Sequence, residues 1–159
     1  KLGGTMKRKL LEFGGAAVVL LGILGILYLV LGRIGNGPPE VGSVTIRCGE
    51  ESVIPLGNEI YRTEDGKKRE ERRLVPEEIG EEAPLLAYND DITAKYEGNS
   101  ENGSFYFTIY TDEFQGYTEK KSWFTPLEEP GNYLVCIETY WGTEKNNIGM
   151  EYYFWLQVE

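Results

Sequence analysis

The spacing of hydrophobic positions changes once along this chain of 159 residues. The segment from Phe13 to Gly32 is a run of 20 residues without a charge, which is the length that a helix needs to cross the hydrocarbon core of a bilayer. Beyond it, apolar and polar residues alternate with a period of two, the pattern of half-buried β-strands. The pattern predicts one N-terminal transmembrane helix followed by an all-β domain.

Five segments of the second region carry this alternation and are rich in β-branched and aromatic residues. In one of them, Phe105, Phe107 and Ile109 fall on one face, and the residues between them fall on the other. Stretches dense in Gly, Asn, Glu and Pro separate the segments, as expected of turns. The predicted strands are Ser43–Cys48, Asp91–Tyr96, Ser104–Thr111, Asn132–Trp141 and Glu151–Glu159.

The segment from Glu64 to Glu82 breaks the alternation because it is heavily charged and contains Pro76. A run of this kind is usually a solvated surface rather than a binding site. We predict that this segment forms an exposed hairpin or excursion that can contain one helical turn.

The patterning divides the chain into five parts, and basic residues orient them. Lys7, Arg8 and Lys9 precede the apolar run, whereas Arg33 alone follows it closely. Because the more basic flank stays in the cytoplasm, the C-terminal region is predicted to lie outside. The five parts are a cloning remnant (1–5), a cytoplasmic basic flank (6–12), a transmembrane helix (13–32), a linker (33–41) and an extracytoplasmic β domain (42–159).

A cleaved signal peptide is the alternative interpretation of the apolar run. The hydrophobic part of a signal peptide is usually shorter, and a cleavage site of the small-x-small type follows it. Here the run is long and ends in Gly-Arg-Ile-Gly-Asn-Gly-Pro-Pro-Glu, without such a site. The sequence therefore favours an uncleaved membrane anchor.

Charge restricts the kinds of partner that the domain can have. The chain has 16 basic and 26 acidic residues. Because four bases (Lys1, Lys7, Arg8, Lys9) and one acid (Glu12) precede or begin the apolar run, the remainder keeps 12 bases and 25 acids, a net charge of −13. That charge argues against binding nucleic acid, which requires a basic face. It favours solubility, with a cationic ligand as the alternative explanation.

The residue types argue against the common catalytic arrangements. The chain has no His, so no Ser–His or Cys–His nucleophile and no imidazole metal ligand can be built. Neighbouring acids in turn-like segments lack the spacing of an EF-hand calcium loop and are usually solvated. We predict no enzyme, no cofactor and no metal site. The neighbouring acids are Asp90 and Asp91, Asp112 and Glu113, and Glu128 and Glu129.

The entry into the fourth predicted strand resembles the tyrosine corner of immunoglobulin-like domains. The segment Glu129–Tyr133 reads acid, Pro, Gly, Asn, Tyr, and in such corners the Tyr hydroxyl bonds to the backbone a few residues upstream. Gly131 and Tyr133 are the predicted corner residues. With several alternating strands in about 120 residues, the resemblance implies an Ig-like antiparallel β-sandwich.

The two cysteines, Cys48 and Cys136, form a candidate disulfide. An even count in an oxidising compartment is consistent with one bond. In antibody-type domains the Cys follows the corner Tyr by two residues, whereas here that position is Val135. Period two places Cys136 on the outer face of its strand, so the bond would join residues on an outer face or near an edge. Two free thiols are the alternative.

A group of aromatic residues in the predicted strands includes several on faces opposite the presumed core. An exposed group of this kind would form a surface for a protein or sugar partner. Alternatively, covered sheet faces or cross-strand aromatic pairs would account for them. The candidate partner-surface residues are Tyr106, Tyr110, Tyr140, Trp141, Tyr153 and Trp155.

The C-terminal half shows a more particular resemblance, carried by four ordered segments: Pro84–Tyr96, Phe107–Phe114, Leu127–Gly142 and Glu151–Glu159. Their order and spacing are similar to those of extracytoplasmic domains in poorly characterised membrane-anchored proteins of Gram-positive anaerobes. Similar domains are appended to peptidases of the antibiotic-sensor type. The resemblance implies an Ig-like module with a role in sensing, and it implies no catalytic residues.

Two functions from different classes follow from these expectations. The first is a non-catalytic extracytoplasmic interaction or sensory module, held at the cell membrane by one helix, with a protein or ligand outside the cell as its partner. The second is an accessory or structural subunit, whose helix packs within a larger membrane complex. An enzyme is the least favoured class.

Overall fold

The computed structural model describes residues 38–100, 103–116 and 118–159 of the chain. The predicted transmembrane helix and its basic flank lie outside these residues. Among the helices that are described, none has both the length and the apolar character needed to cross a membrane. The described elements are β1 (Ser43–Cys48), β2 (Glu51–Val53), β3 (Leu56–Glu64), β4 (Lys67–Glu70), α1 (Pro76–Ile79), β5 (Leu85–Ala87), β6 (Ile92–Glu97), β7 (Tyr106–Thr111), β8 (Gly131–Gly142) and β9 (Asn147–Val158).

The prediction of an all-β domain is confirmed, and each of the five predicted strands has a counterpart. The alternation in the sequence located these strands because every second residue of a half-buried strand points toward the core. Four further strands, β2 to β5, were not predicted individually. Three of them are only three or four residues long, which is too short for a period to be recognised.

The strands form two sheets. A small sheet has the order β2-β1-β6, and a large sheet has the order β4-β3-β9-β8-β7; neighbours in both are antiparallel. β8 and β9 pair from Gly131–Val158 to Gly142–Asn147. On the opposite side of β9, β3 pairs antiparallel with its first half and β5 pairs parallel with its last residues.

The main hydrophobic core joins the two sheets. Val44, Ile46 and Cys48 of β1 pack with alternate residues of β8 and β9, among them Val135 and Phe154. Because successive residues of a strand point to opposite faces, these positions define the inner face of the large sheet. The core therefore lies between β1 and the central strands of the larger sheet.

A second cluster covers part of the outer face of the large sheet. Leu134, Cys136 and Tyr153 pack there against Ile79 of α1, with Leu74 partly buried beside them. The Trp155 indole donates a hydrogen bond to the Gly80 carbonyl at 3.1 Å. The outer face is therefore buried where residues 74–83 cross it.

The charged excursion matches its prediction in form. β3 and β4 make a hairpin whose second strand is exposed at each of its four residues, and α1 is one helical turn. Asp65 and Gly66 form the turn with φ angles of 49° and 76°, the conformation that an Asp-Gly dipeptide favours in hairpins. Ile79 is buried, so this segment also contributes an apolar side chain to the packing of the domain, which its high charge did not indicate.

The connectivity differs from that of an immunoglobulin constant domain. There, the strand before the tyrosine corner lies in the opposite sheet. Here, β7 precedes the corner and lies beside β8 in the same sheet. The large sheet therefore ends in a meander of β7, β8 and β9.

Candidate functional site

Rows of side chains cross the outer face of the large sheet in a register that the strand pairing fixes. One row joins Tyr106, Glu138, Glu151 and Asn58 on β7, β8, β9 and β3. Directly opposite residues in an antiparallel pair lie close enough for their side chains to interact. The sheet therefore brings two carboxylates together at the centre of its outer face.

Two basic side chains balance this carboxylate pair. Arg73 forms an ion pair with Glu151 and lies 3.6 Å from a Glu138 oxygen. Lys120 approaches the other Glu138 oxygen to 2.8 Å. Since like charges directly opposite each other destabilise a sheet, the two cations are needed to hold the pair.

Glu151 is the deepest of these charged groups. Its residue is only 4% exposed, and the Tyr153 hydroxyl donates to its carboxylate at 2.6 Å. Burial raises the pKa of Tyr153, so its hydroxyl stays protonated and remains a donor at neutral pH. A buried carboxylate is tolerated when charge and hydrogen bonds compensate it, and Arg73 and Tyr153 supply both.

Three tyrosines surround the charged centre. Tyr106 and Tyr140 lie on β7 and β8, and Gly149 of β9 separates Tyr140 from Tyr61 on β3. Lys120 lies 4.8 Å from the centroid of the Tyr106 ring. We call Tyr61, Tyr106, Tyr140, Glu138, Arg73 and Lys120 the outer patch.

The predicted aromatic surface is only partly present. Tyr106 is 41% exposed, whereas Tyr110, Tyr140 and Trp155 are half-buried. The expectation that Trp141 belongs to a surface is wrong, because it is buried in the main core, where its indole donates to the Tyr152 hydroxyl at 2.9 Å. Alternation along β8 places Trp141 on the inner face, which was the signal for its burial.

Tyr153 is the other correction to that surface. It lies on the outer face as the alternation predicts, but the segment containing Leu74 and Ile79 covers it, and it is buried. The sequence contains no local sign of this covering, because those residues precede Tyr153 by more than 70 positions.

The corner residues make the predicted local contact. The Tyr133 hydroxyl donates to the Glu129 carbonyl at 3.0 Å. The side chain is buried in the main core, and Gly131 begins β8. One residue thus fixes the turn and fills the space between the sheets.

The predicted disulfide is not formed. Cys48 and Cys136 are both free and buried, and they belong to different clusters: Cys48 to the main core and Cys136 to the cluster on the outer face. The expectation that Cys136 points outward is confirmed, and the large sheet therefore separates the two thiols. Burial raises the pKa of both, which disfavours the reactive thiolate.

Sequence reasoning missed the most exposed large aromatic side chain among the described residues. Trp123 is 62% exposed, and Phe105, which alternation assigned to the inner face, is 37% exposed. β7 is an edge strand, and Phe105 directly precedes it. The three-stranded sheet does not cover this position fully, which no periodicity reveals.

The linings and sizes of the concave surfaces favour either charged groups or small apolar groups. A hollow of about 350 Å³ beside the β3–β4 hairpin is lined by Arg62, Glu64, Asp65 and three basic residues of β4. An apolar cavity of about 40 Å³ lies between Ala94, Phe107 and Phe124. Within the described ranges, no group of three His, Cys, Asp or Glu side chains is placed to hold a metal ion.

Comparison with known proteins identified no matching family model, curated protein or solved structure.

Proposed function

We propose that this chain is a non-catalytic interaction or sensory module, displayed outside the cell by one N-terminal transmembrane helix. The displayed domain is an Ig-like β-sandwich that contacts a protein or ligand through the outer patch. The anchor rests on the uncharged run from Phe13 to Gly32 and the basic flank before it. The Ig-like assignment rests on the Tyr133 hydrogen bond, while the connectivity departs from that family.

The observation that carries the proposal is the carboxylate pair of Glu138 and Glu151 at the centre of the outer face. Strand pairing does not require charged side chains at these two positions, since leucine or valine would also be compatible with it. The chain instead balances two acids with Arg73 and Lys120 and surrounds them with tyrosines. Tyr and Arg are enriched at protein interfaces because they combine contact area with hydrogen bonding.

The rigidity of the site supports the same conclusion. Glu138 and Glu151 lie within the two longest strands, which are paired along their full length. Side chains on such strands are positioned more precisely than side chains on loops. A partner would therefore meet a fixed arrangement of acid, base and aromatic groups.

A photoreactive amino acid in place of Tyr106 tests this function in intact cells carrying the full chain. The matched control replaces Lys95, an exposed residue on the small sheet. We expect a discrete cross-linked adduct from position 106 and none from position 95. An absent adduct, or the same adduct from both positions, would overturn the outer patch as the contact surface.

Exchanging residues 13–32 for an unrelated apolar 20-residue segment separates this function from that of an accessory subunit. A surface module keeps the adduct at position 106 because its anchor only tethers it. A subunit whose helix packs within a complex loses the adduct although the domain is still displayed.

A further inference from the structure

The edges of the two sheets differ in whether they can pair with another chain. The β7 edge is paired by the segment that follows it, through bridges from Phe107 to Lys121 and from Tyr110 to Gly116. β2 and β4 are short, and β4 carries three basic residues among its four, features that protect an edge strand against pairing. β6 is a six-residue strand at the remaining edge of the small sheet, and no described strand lies beside it there.

The register with β1 shows which backbone groups of β6 face outward. The Gly49 N–H donates to the Asp91 carbonyl at 3.0 Å, and the pairing continues along β6 without a shift. Because hydrogen-bonded and non-hydrogen-bonded pairs alternate along an antiparallel ladder, the N–H and C=O groups of Ile92, Ala94 and Tyr96 point away from β1. Within the described part of the chain, no backbone hydrogen bond joins these groups to another segment.

The side chains of the same three residues face the core but are covered only in part. They are half-buried, whereas Val44, Ile46 and Cys48 on the neighbouring strand β1 are at most 3% exposed. Since both sets lie on the inner face of the small sheet, the space between the two sheets is incompletely filled along β6.

A partly open apolar cavity lies between the sheets at this edge. Its lining includes Ile92 and Ala94 of β6, Phe107 of β7, and Phe124. The cavity volume of about 40 Å³ holds about three non-hydrogen atoms, at about 10–15 Å³ for each. That is the size of the isopropyl group of valine, so one medium-sized apolar side chain would fill the cavity.

We propose that β6 accepts a strand from another polypeptide, added antiparallel to it at the edge of the small sheet. The added strand pairs with the outward N–H and C=O groups of β6 and places an apolar side chain in the cavity. Residues directly opposite each other in antiparallel strands project their side chains to the same face, so one strand can do both. In this mode of recognition, main-chain hydrogen bonds provide affinity and pockets for alternate side chains provide specificity.

Charge restricts the kind of strand that fits. The chain beyond the apolar run has a net charge of −13, so a second copy of this chain is repelled. The added strand therefore belongs to a different protein, with apolar side chains at alternate positions and neutral or basic ones between them. This edge is separate from the outer patch, and the inference does not rest on the proposed function.

Binding of a synthetic peptide to the full chain in phosphatidylcholine nanodiscs tests the proposal, with empty nanodiscs as the blank. The probe is fluorescein-labelled Thr-Val-Lys-Val-Thr-Val-Lys, whose valines take the inward positions of an added strand. N-methylation of the valines removes the N–H groups that face β6 in antiparallel pairing, whereas N-methylation of the other residues removes those that face away. We expect saturable binding by fluorescence anisotropy, weakened about tenfold or more by valine methylation and little changed by the other pattern.

Substitutions at position 94 test the two parts of the site. Ala94→Pro removes an outward N–H and keeps those that face β1, and Ala94→Leu extends a side chain into the cavity; both should weaken binding about tenfold. Lys68→Pro is the matched control at the β4 edge. The Glu71 N–H donates to the Ile60 carbonyl at 2.9 Å, so the same alternation directs the Lys68 N–H away from β3. Urea unfolding of each variant checks that the fold is retained.

Several results would overturn the proposal. These are no saturable binding at up to about 1 mM peptide, equal weakening by the two methylation patterns, and equal weakening by Ala94→Pro and Lys68→Pro. If sedimentation of the full chain in detergent shows a dimer that Ala94→Pro dissociates, the edge pairs with a second copy and the proposal of a different protein is wrong. The outer patch is tested separately by the adduct at position 106.

Discussion

At the scale of single residues, the two faces of a strand give similar side chains different tasks. Tyr133 lies on the inner face of β8, where its ring joins the main core and its hydroxyl closes the turn at Glu129. Tyr153 lies on the outer face of β9, where its hydroxyl compensates the buried Glu151 carboxylate. Each residue combines burial of a ring with one hydrogen bond, so the two contributions can be separated by substitution.

Substitution of Tyr133 separates the hydrogen bond from the packing. Tyr133→Phe removes only the bond to Glu129 and should cost about 0.5–1.5 kcal/mol. Tyr133→Ala also empties a buried aromatic site and should cost about 3–5 kcal/mol. Urea unfolding of the domain from residue 35 onward measures both. Tyr106→Phe, at an exposed position, is the control, and a loss below about 1 kcal/mol in Tyr133→Ala would contradict a buried corner.

The thiols of Cys48 and Cys136 should be free and slow to react in the folded protein. Burial raises the pKa of each thiol, so little thiolate is present at neutral pH, and the sheet hinders access to reagents. We expect alkylation of two thiols per chain after denaturation without reductant, and far slower alkylation before it. A mass lower by two protons, with no alkylation after denaturation, would restore the disulfide.

At the scale of elements, the β8–β9 pair organises the domain because both of its faces are covered. β1 covers the centre of the inner face, while residues 74–83 cover part of the outer face. Nine of the twelve residues of β9 are consequently buried. Such a strand tolerates little change in volume, even where it carries a glycine.

Gly149 gives a test of this close packing. The Tyr61 ring of the neighbouring strand lies over it, so that a methyl group there would overlap the ring. Gly149→Ala should therefore destabilise the domain by about 1–3 kcal/mol, as measured by urea unfolding. Gly116→Ala is the matched control, since open space surrounds that position.

The second substitution Tyr61→Ala checks the cause. In the Gly149→Ala background it removes the overlapping ring, so the two changes should cost less together than the sum of their separate costs. Additive costs would show that the loss at position 149 has another origin than contact with Tyr61.

At the scale of the whole molecule, the proposed contact of the outer patch with a partner is confined to one face of the large sheet. The outer patch lies on the outer face of the large sheet, whereas the exposed Phe105 directly precedes the edge strand β7. The acidic composition leaves much of the remaining surface negative, a property that favours solubility. The proposed contact depends on the predicted side of the membrane.

Protease treatment of intact cells tests that orientation. Lys7, Arg8 and Lys9 before the apolar run predict a cytoplasmic N-terminus, so an added protease should remove the acidic domain. Cells permeabilised before treatment provide the control for protease activity. Full protection in intact cells, with digestion after permeabilisation, would reverse the predicted topology.

The sequence by itself determined the class of the domain, the five main strands and the contact made by Tyr133. These features depend on local rules: side chains alternate along a strand, turn residues punctuate the strands, and a corner spans only the few residues from Glu129 to Tyr133. The same alternation correctly turned Cys136 outward. It also placed Trp141 inward, against its inclusion among surface residues.

Only the tertiary structure decided which outward side chains are covered and which inward ones are exposed. Tyr153 is buried because a distant charged segment crosses the sheet, and Phe105 is exposed because the small sheet is narrower than the large one. Arg73 meets Glu151 across 78 positions of sequence. Periodicity reports the direction of a side chain relative to its own strand, whereas burial depends on what the rest of the chain places against that face.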